Sequence, residues 1–203
     1  MANISKPIVA AFDFDGTLTK RDSLLPFLYL TTGMTTTLIN LFLEIPHLIQ
    51  YLLGYRDRQS LKEAFLTRFL KDKPLREIQV NADKFAKQIL PKMLRNDSLE
   101  RIAWHKRQGH RCILISANLD IYLKSWGKLN NFDDIIASRV EFSPEGLVTG
   151  HLIGLNCRGP EKIRRLTEIV GPRSEYILYA YGDSEGDREL LNMADFPFYK
   201  TLC

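Results

Sequence analysis

Two carboxylates stand two residues apart at the end of the first apolar run of the sequence. Asp13 and Asp15 lie at the end of the run Pro7–Phe14, and Gly16 and Thr17 follow directly. Burying unpaired carboxylates is costly, so acids at the end of a buried strand need a cation. Mg²⁺ prefers oxygen ligands, and a glycine lets the backbone turn sharply after the acids. The complete string DFDGTLT therefore predicts a metal site rather than an ordinary Asp-Gly turn.

Three further polar clusters follow apolar runs or open a helix. The cluster Ser116–Asn118 follows the letters ILI, and the acidic cluster Gly182–Asp187 follows YILYAY. Pro160 suits the first turn of a helix, which places Lys162 near a helix start. Each cluster also has an ordinary interpretation. A serine after a strand is commonly a helix N-cap, a lysine is commonly solvated, and a loop can carry several acids without a function.

The apolar runs have the length and composition of buried strands. They are Pro7–Phe14, His110–Ser116 and Tyr176–Tyr181. Each is followed by polar or small residues and then by a helical pattern, which predicts an α/β fold with a Rossmann-like parallel sheet. Ligands of such sheets bind beyond the carboxyl ends of the strands. We therefore expect the polar clusters to converge at one edge of the sheet.

About ninety residues separate the first two predicted strands, far more than a βα crossover needs. We expect an all-helical inserted subdomain at residues 20–95, and a core formed by residues 1–19 and 96–203. The helices predicted in the insertion are Leu24–Thr31, Leu38–Leu53, Ser60–Leu70 and Leu75–Leu90. A helix at Asp97–Gln108 would return to the sheet, and the sequence Ser-Pro-Glu-Gly predicts a hairpin within Val140–Ile153.

The net charge of +4 is unevenly distributed. Residues 20–95 contain 13 Lys and Arg against 7 Asp and Glu, an excess of +6. Such an excess favours an anionic partner, and a lysine-rich solvated face is the alternative. The chain has no helix-turn-helix, zinc-finger or RNA-binding signature, so we do not expect a nucleic-acid partner.

The segment Ser23–Leu53 is apolar and has Glu44 as its only formally charged residue. A transmembrane helix needs roughly 20 continuous apolar residues, whereas Pro26, Gly33 and Pro46 interrupt this stretch. The favoured interpretation is a buried helical hairpin. Contact with a membrane interface is the alternative, because basic residues flank the segment on both sides.

The N-terminus and the cysteines favour a cytoplasmic location. The sequence starts without the charged, apolar and small-residue pattern of a signal peptide. Cys112, Cys157 and Cys203 have no metal-ligand spacing, so we expect free thiols in a reducing compartment.

The four clusters, in this order, resemble the motifs of the haloacid dehalogenase superfamily. The string DFDGTLT resembles its first motif, Ser116 the second, Lys162 the third and GDSEGD the fourth. The sequence is most similar to the subclass with a helical cap inserted after the first motif. That subclass includes phosphoserine phosphatases and the bacterial phosphatidylglycerophosphatase C type.

The resemblance implies a Mg²⁺-dependent phosphatase with a covalent aspartyl-phosphate. Asp13 would attack phosphorus, and Asp15 would protonate the leaving oxygen and then activate water. Mg²⁺ would be held by Asp13, Asp183 and the backbone carbonyl of Asp15. Asp187 would hold a metal-bound water or brace Lys162, whose charge would neutralise the intermediate. The phosphate would be positioned by Lys162, Thr17, Ser116 and, if they open a helix, the amides of Ala117 and Asn118.

The substrate is less closely defined than the reaction. Phosphoserine phosphatases typically have Gly-Gly after the second-motif serine and GDGxND in the fourth motif, and this sequence departs from both. An apolar and basic insertion fits an amphiphile with an anionic head, and phosphatidylglycerophosphate is the first choice. The alternatives are a small metabolite such as phosphoserine, transfer of the phosphoryl group to an alcohol, and an inactive binding or regulatory protein on the same scaffold.

Overall fold

A central parallel sheet organises the computed structural model, which describes residues 6–202. Cys203 and the first five residues lie outside the described part. The strands are β1 (Ile8–Phe12), β2 (Arg111–Leu119), β3 (Asp134–Ser138), β4 (Val140–Phe142), β5 (Val148–Leu152), β6 (Ile177–Gly182) and β7 (Phe196–Tyr199). Five of them form one sheet in the order β3-β2-β1-β6-β7, and every pairing in it is parallel. The predicted α/β fold is confirmed.

The register of the sheet brings the polar clusters to one edge. Phe12, at the end of β1, pairs with Leu114 on one side and Tyr181 on the other. The next residue, Asp13, donates its amide to the carbonyl of Tyr181 over 2.9 Å. Because β1 is central and covered on both faces, its side chains are apolar and buried until the acids begin.

Helices fill the chain between β1 and β2. They are α1 (Leu24–Thr32), α2 (Met34–Leu52), α3 (Arg58–Leu70), α4 (Leu75–Lys84) and α5 (Leu90–Met93). A π-helical turn at Phe85–Ile89 interrupts the single helix predicted for Leu75–Leu90. Pro91 explains the interruption, because it has no N–H to donate to the carbonyl four residues earlier.

The remaining helices return the chain to the sheet and cover it. They are α6 (Ser98–Arg107), α7 (Asp120–Leu129), α8 (Pro160–Val170) and α9 (Arg188–Met193). The inserted helices pack on α7 through an aromatic cluster. The rings of Phe27 and Phe85 lie 4.8 and 5.2 Å from that of Tyr122. The two chain segments that enter and leave the insertion run side by side, since Lys20 N–H donates to Met93 O and Arg95 N–H to Leu18 O.

The predicted hairpin is present as β4 and β5, and it is hydrogen-bonded to the insertion. The amide of Leu75 donates to the Gly146 carbonyl over 2.8 Å, and the amide of Val148 donates to the Lys73 carbonyl over 3.0 Å. Gly150 lies so close to α3 that a Cβ there would stand 2.3 Å from the Thr67 hydroxyl. The hairpin therefore fits α3 as closely as one core element fits another.

Helix α2 has its polar side inward and its apolar side outward. Thr37 and Glu44 are buried, and Glu44 accepts hydrogen bonds from Arg68 and His47. Phe42 and Leu52, on the outer side, are 72% and 73% exposed. The interpretation of Ser23–Leu53 as a buried helical hairpin is therefore wrong for this face. Among residues 6–202, no helix is long and apolar enough to cross a membrane.

Candidate active site

A buried lysine joins two of the predicted site carboxylates beyond the ends of β1 and β6. Lys162 is 1% exposed and enters from the first turn of α8, which Pro160 starts as predicted. Its ammonium donates to Asp13 over 2.6 Å and to Asp187 over 2.5 Å. Burial alone disfavours this cation, but the two carboxylates outweigh it and raise the pKa of Lys162 above its usual value.

Asp13 is strongly influenced by its surroundings. Burial raises the pKa of its carboxyl to about 6, against the opposing effect of Lys162. The carboxylates of Asp187 and Asp183 also raise it. The hydroxyl of Thr17 donates to Asp13 over 3.3 Å and approaches Asp183 at 3.4 Å. The side chain predicted as the nucleophile thus has several polar neighbours in a site nearly closed to bulk water.

Three carboxylates of the site are close enough to share one cation. Single oxygens of Asp13, Asp183 and Asp187 lie within 4.8 Å of one another. Burial and the charge of Asp187 raise the pKa of Asp183. A set of donors made only of oxygen suits Mg²⁺, and three acids beside one lysine leave an excess of negative charge. The residues present therefore fit a divalent cation.

Gly16 makes room for Asp183. Its φ of +78° is one that side chains rarely adopt, and a Cβ would stand 2.1 Å from the Asp183 carboxylate. Glycine therefore allows the loop after β1 and the loop after β6 to touch. Asp187 is fixed from its other side, since Ser184 donates to it from its hydroxyl over 2.8 Å and from its amide over 3.1 Å.

Asp15 lies apart from these acids and faces the insertion. Its carboxylate accepts the amide of Ser23 over 2.9 Å, the hydroxyl of Thr19 over 3.3 Å and the side-chain amide of Asn118. Burial and the neighbouring Asp22 raise its pKa to about 7, while the hydrogen bonds from Ser23 act in the opposite direction. Asp13 and Asp15 therefore differ in surroundings although they are two residues apart.

The cluster Ser116–Asn118 belongs to β2 and does not open a helix. The pairing of β2 with β3 shifts between Ser116 and Leu119, and α7 begins only at Asp120. The expectation that the amides of Ala117 and Asn118 stand at a helix start is wrong for this reason. The Asn118 amide instead donates to the Ser116 hydroxyl oxygen over 3.1 Å.

Sequence reasoning missed Lys62, which reaches the same region from α3. Its ammonium donates to the Ala117 carbonyl over 2.5 Å and to the Asn156 side chain over 2.8 Å. Its pattern in the sequence is that of any lysine on an amphipathic helix. Only the tertiary structure brings it beside the polar cluster of β2.

Comparison with known proteins assigns the family. Residues 10–192 match the family model described as haloacid dehalogenase-like hydrolase. Protein CicA of Caulobacter vibrioides is 35% identical over 197 residues, which cover 97% of this chain and 87% of CicA.

Two solved structures are similar in fold. A protein of unknown function from Bordetella pertussis Tohama I has a TM-score of 0.82 at 20% identity, over 95% of this chain and 89% of that one. A phospho-aspartyl intermediate analogue of phosphoserine phosphatase has a TM-score of 0.61 at 18% identity, over 94% and 84% of the two chains. The chain therefore belongs to the haloacid dehalogenase-like hydrolases, an enzyme family, with phosphoserine phosphatase among its structural neighbours.

Proposed function

We propose that this protein hydrolyses phosphate monoesters through an aspartyl-phosphate on Asp13. The observation that carries the proposal is the pair of carboxylates after β1. Asp13 contacts Lys162, whereas Asp15 is held by neutral donors and has a pKa of about 7. One acid thus faces a cation that favours its charged form, and the other faces neutral donors, with a pKa that suits a group that gives and takes a proton near neutral pH.

The proposed reaction has two displacements. An oxygen of Asp13 attacks phosphorus, the bond from phosphorus to the ester oxygen breaks, and Asp15 gives its proton to the leaving alcohol. Asp15 then takes a proton from water, the water oxygen attacks the aspartyl-phosphate, and inorganic phosphate leaves. Lys162 and the Ser116 hydroxyl stabilise phosphoryl charge in both steps, and Thr17 positions the phosphate. Asp187 keeps Lys162 in place through its 2.5 Å hydrogen bond.

Mg²⁺ is the cofactor that we propose for this site. Asp13 and Asp183 would bind it with the backbone carbonyl of Asp15, and Asp187 would lie beside it. When bound, the ion supplies positive charge that neutralises the phosphoryl oxygens. The support is the excess of carboxylates over cations among residues that approach within 4.8 Å of one another.

The chemistry is tested by phosphate release with and without Mg²⁺ from wild type and Asp13→Asn. The panel contains phosphatidylglycerophosphate, phosphoserine, sugar phosphates and nucleotides. Mg²⁺-dependent release that Asp13→Asn abolishes, with the fold retained, supports the proposal. Equal release by Asp13→Asn would refute the nucleophile. Absence of release from every compound would favour the inactive binding protein, and phosphoryl transfer to an added alcohol would identify a phosphotransferase.

For the substrate we propose an amphiphilic anionic ester, with phosphatidylglycerophosphate first and a small metabolite such as phosphoserine as the alternative. The helical residues 20–95 would act as the cap that recognises it. The support is the outer face of α2, because soluble proteins rarely expose large contiguous apolar patches. With 19 residues, α2 is about 28 Å long, enough for an extended contact with a membrane interface.

Charge favours a membrane over a second copy of the chain as the occupant of this face. Glu44 is the only acid between residues 23 and 55, and it is buried. Two arginines fold over the carboxyl end of α2, where Arg56 donates to Gln50 and Arg58 lies 5.8 Å from the Tyr51 ring. A second copy of this face would offer the arginines no exposed carboxylate from residues 23–55, whereas anionic lipids supply negative charge. We therefore propose a peripheral location at the inner face of a membrane.

Sedimentation with vesicles of phosphatidylglycerol and phosphatidylcholine tests this surface. Phe42→Glu should abolish binding to the anionic vesicles. The matched control is Val80→Glu, since Val80 on α4 is 62% exposed and lies on another helix. Equal binding by wild type and Phe42→Glu would refute the membrane contact. A dimer in light scattering that Phe42→Glu dissociates would assign the face to a second copy instead.

A further inference from the structure

Lys62 is a cation of the insertion that has only neutral hydrogen-bond partners. Its two acceptors are the Ala117 carbonyl and the side-chain oxygen of Asn156. Within residues 6–202, no carboxylate approaches its ammonium within the 4.0 Å of an ion pair. Lys162, by contrast, contacts two carboxylates. An ammonium carries three N–H groups, so one donor of Lys62 is left for a ligand.

We infer that Lys62 binds an anionic oxygen of the substrate and is the contribution of the insertion to substrate affinity. The inference rests on the proposed function for the kind of ligand, a phosphate ester. Helix α3 brings the charge to Ala117, which directly follows the predicted phosphate-binding serine, Ser116. The substrate would thus be held from the sheet by Ser116 and Lys162, and from the insertion by Lys62.

The hydrogen bonds of Lys62 do not by themselves explain its presence. Its two acceptors share one further donor, because the Ser138 hydroxyl lies 2.7 Å from the Ala117 carbonyl and 2.8 Å from the Asn156 oxygen and its single proton serves one of them at a time. A neutral donor at position 62 would satisfy the remaining oxygen as well as an ammonium does. What Lys62 adds is charge, and the surroundings favour an anion to compensate it.

The pKa of Lys62 agrees with this geometry. Burial lowers it to about 8, and the charges of Asp22 and Asp15, which act in the opposite direction, do not restore its usual value. A phosphate oxygen at hydrogen-bond distance would stabilise the charged form. The same contact would hold α3 against the sheet, so substrate binding would stabilise the docked insertion.

The test compares Lys62→Met with Lys71→Met, a control that removes an exposed lysine after the same helix. Thermal unfolding is followed with and without inorganic phosphate, and kinetics are measured with p-nitrophenyl phosphate. In wild type and Lys71→Met, phosphate should raise the Tm, and in Lys62→Met this rise should be lost. The KM of Lys62→Met should increase at least about tenfold with little change in kcat, as expected for one lost charge-assisted hydrogen bond. Lys62→Arg should recover part of the affinity.

Further measurements show which anionic group of the substrate Lys62 binds, and they test the role of Lys62 separately from the proposed phosphatase function. A similar loss of affinity for p-nitrophenyl phosphate and short-chain phosphatidylglycerophosphate assigns Lys62 to the transferred phosphoryl group. A loss confined to the lipid assigns it to the second anionic group. An unchanged KM and an unchanged phosphate-induced Tm rise would overturn the inference, and Lys62→Gln replaces Lys62→Met if the latter does not fold. Wild type that binds phosphate through Lys62 but releases none from esters would refute the proposed function alone.

Discussion

Replacing Gly16 with alanine should disable the proposed metal site by displacing Asp183. The Cβ of the new residue would stand 2.1 Å from an Asp183 oxygen, roughly 1 Å inside an ordinary contact between carbon and oxygen. The Cγ and both carboxylate oxygens of Asp183 lie within 2.9 Å of that position, so rotation of the carboxylate alone cannot relieve the overlap. The loop after β6 must therefore move relative to the loop after β1.

Gly16→Ala should affect both the stability and the activity of the protein. A positive φ costs a non-glycine residue about 1–2 kcal/mol, which lowers the free energy of unfolding. A displacement of about 1 Å in a positioned group can lower the rate about a hundredfold. Gly54 serves as a control that distinguishes backbone strain from the clash with Asp183, because it has the same φ of +78° and nothing lies within 4 Å of an added Cβ. Gly54→Ala should lose stability to a similar extent and keep its activity.

The assay is phosphate release as a function of Mg²⁺ concentration, with urea unfolding in parallel. We expect Gly16→Ala to need much more Mg²⁺ and to remain about a hundredfold slower at saturation. Wild-type Mg²⁺ dependence in Gly16→Ala would refute the reasoning, since Asp183 would then not be needed where the structure has it. An equal loss of activity in Gly54→Ala would show that backbone strain, and not the clash, is responsible.

Further perturbations concern three acidic residues, Asp15, Asp187 and Glu44. The pKa of Asp15 is raised to about 7 in the folded chain, so its contribution to the stability of the metal-free protein is complete below about pH 4 and is lost as the pH rises through 7. In EDTA, Asp15→Asn should therefore flatten the pH dependence of the free energy of unfolding. An unchanged pH dependence would contradict the raised pKa. Asp187→Asn should lower kcat about 10–100-fold with little change in KM, because Lys162 loses one of its two carboxylate partners. An unaltered kcat in steady-state kinetics would show that Asp187 is not needed to position Lys162. Glu44→Ala should lower the free energy of unfolding in urea by about 1–3 kcal/mol, because Arg68 and His47 lose the carboxylate that they contact. Hydrolysis of p-nitrophenyl phosphate should stay intact, since among residues 6–202 Glu44 forms side-chain hydrogen bonds with these two residues and with no residue of the proposed active site. A fully stable variant would show that these bonds are not needed.

The sequence predicts the parts of the site that are local in the chain. Asp13 and Asp15 are recognisable because an apolar strand and a glycine adjoin them. Strands β3 and β7 were not predicted, since both are short edge strands, and β7 contains Pro197. Lys62 has no local signature, because its two partners lie 55 and 94 residues further along the chain.

The orientation of α2 also depends on tertiary packing. Its sequence predicts a helix with both apolar and polar sides, and the usual expectation is that the apolar side is buried. The structure reverses this because Arg68 and His47 supply partners for Glu44 on the inner side. Whether a buried acid finds such partners cannot be read from the helix alone.

The hydrogen bonds between the hairpin and the insertion set a condition for protein engineering. A chimera that exchanged only residues 20–95 with a relative would leave the amide of Leu75 and the carbonyl of Gly146 with partners from different parents. It would also place a foreign residue 67 against Gly150, whose lack of a Cβ makes room for Thr67 in this chain. The unit that can be transplanted therefore includes residues 140–152, although they lie beyond β3 in the chain. The insertion and the hairpin, two distant stretches of sequence, thus form one packing unit whose residues have to match each other.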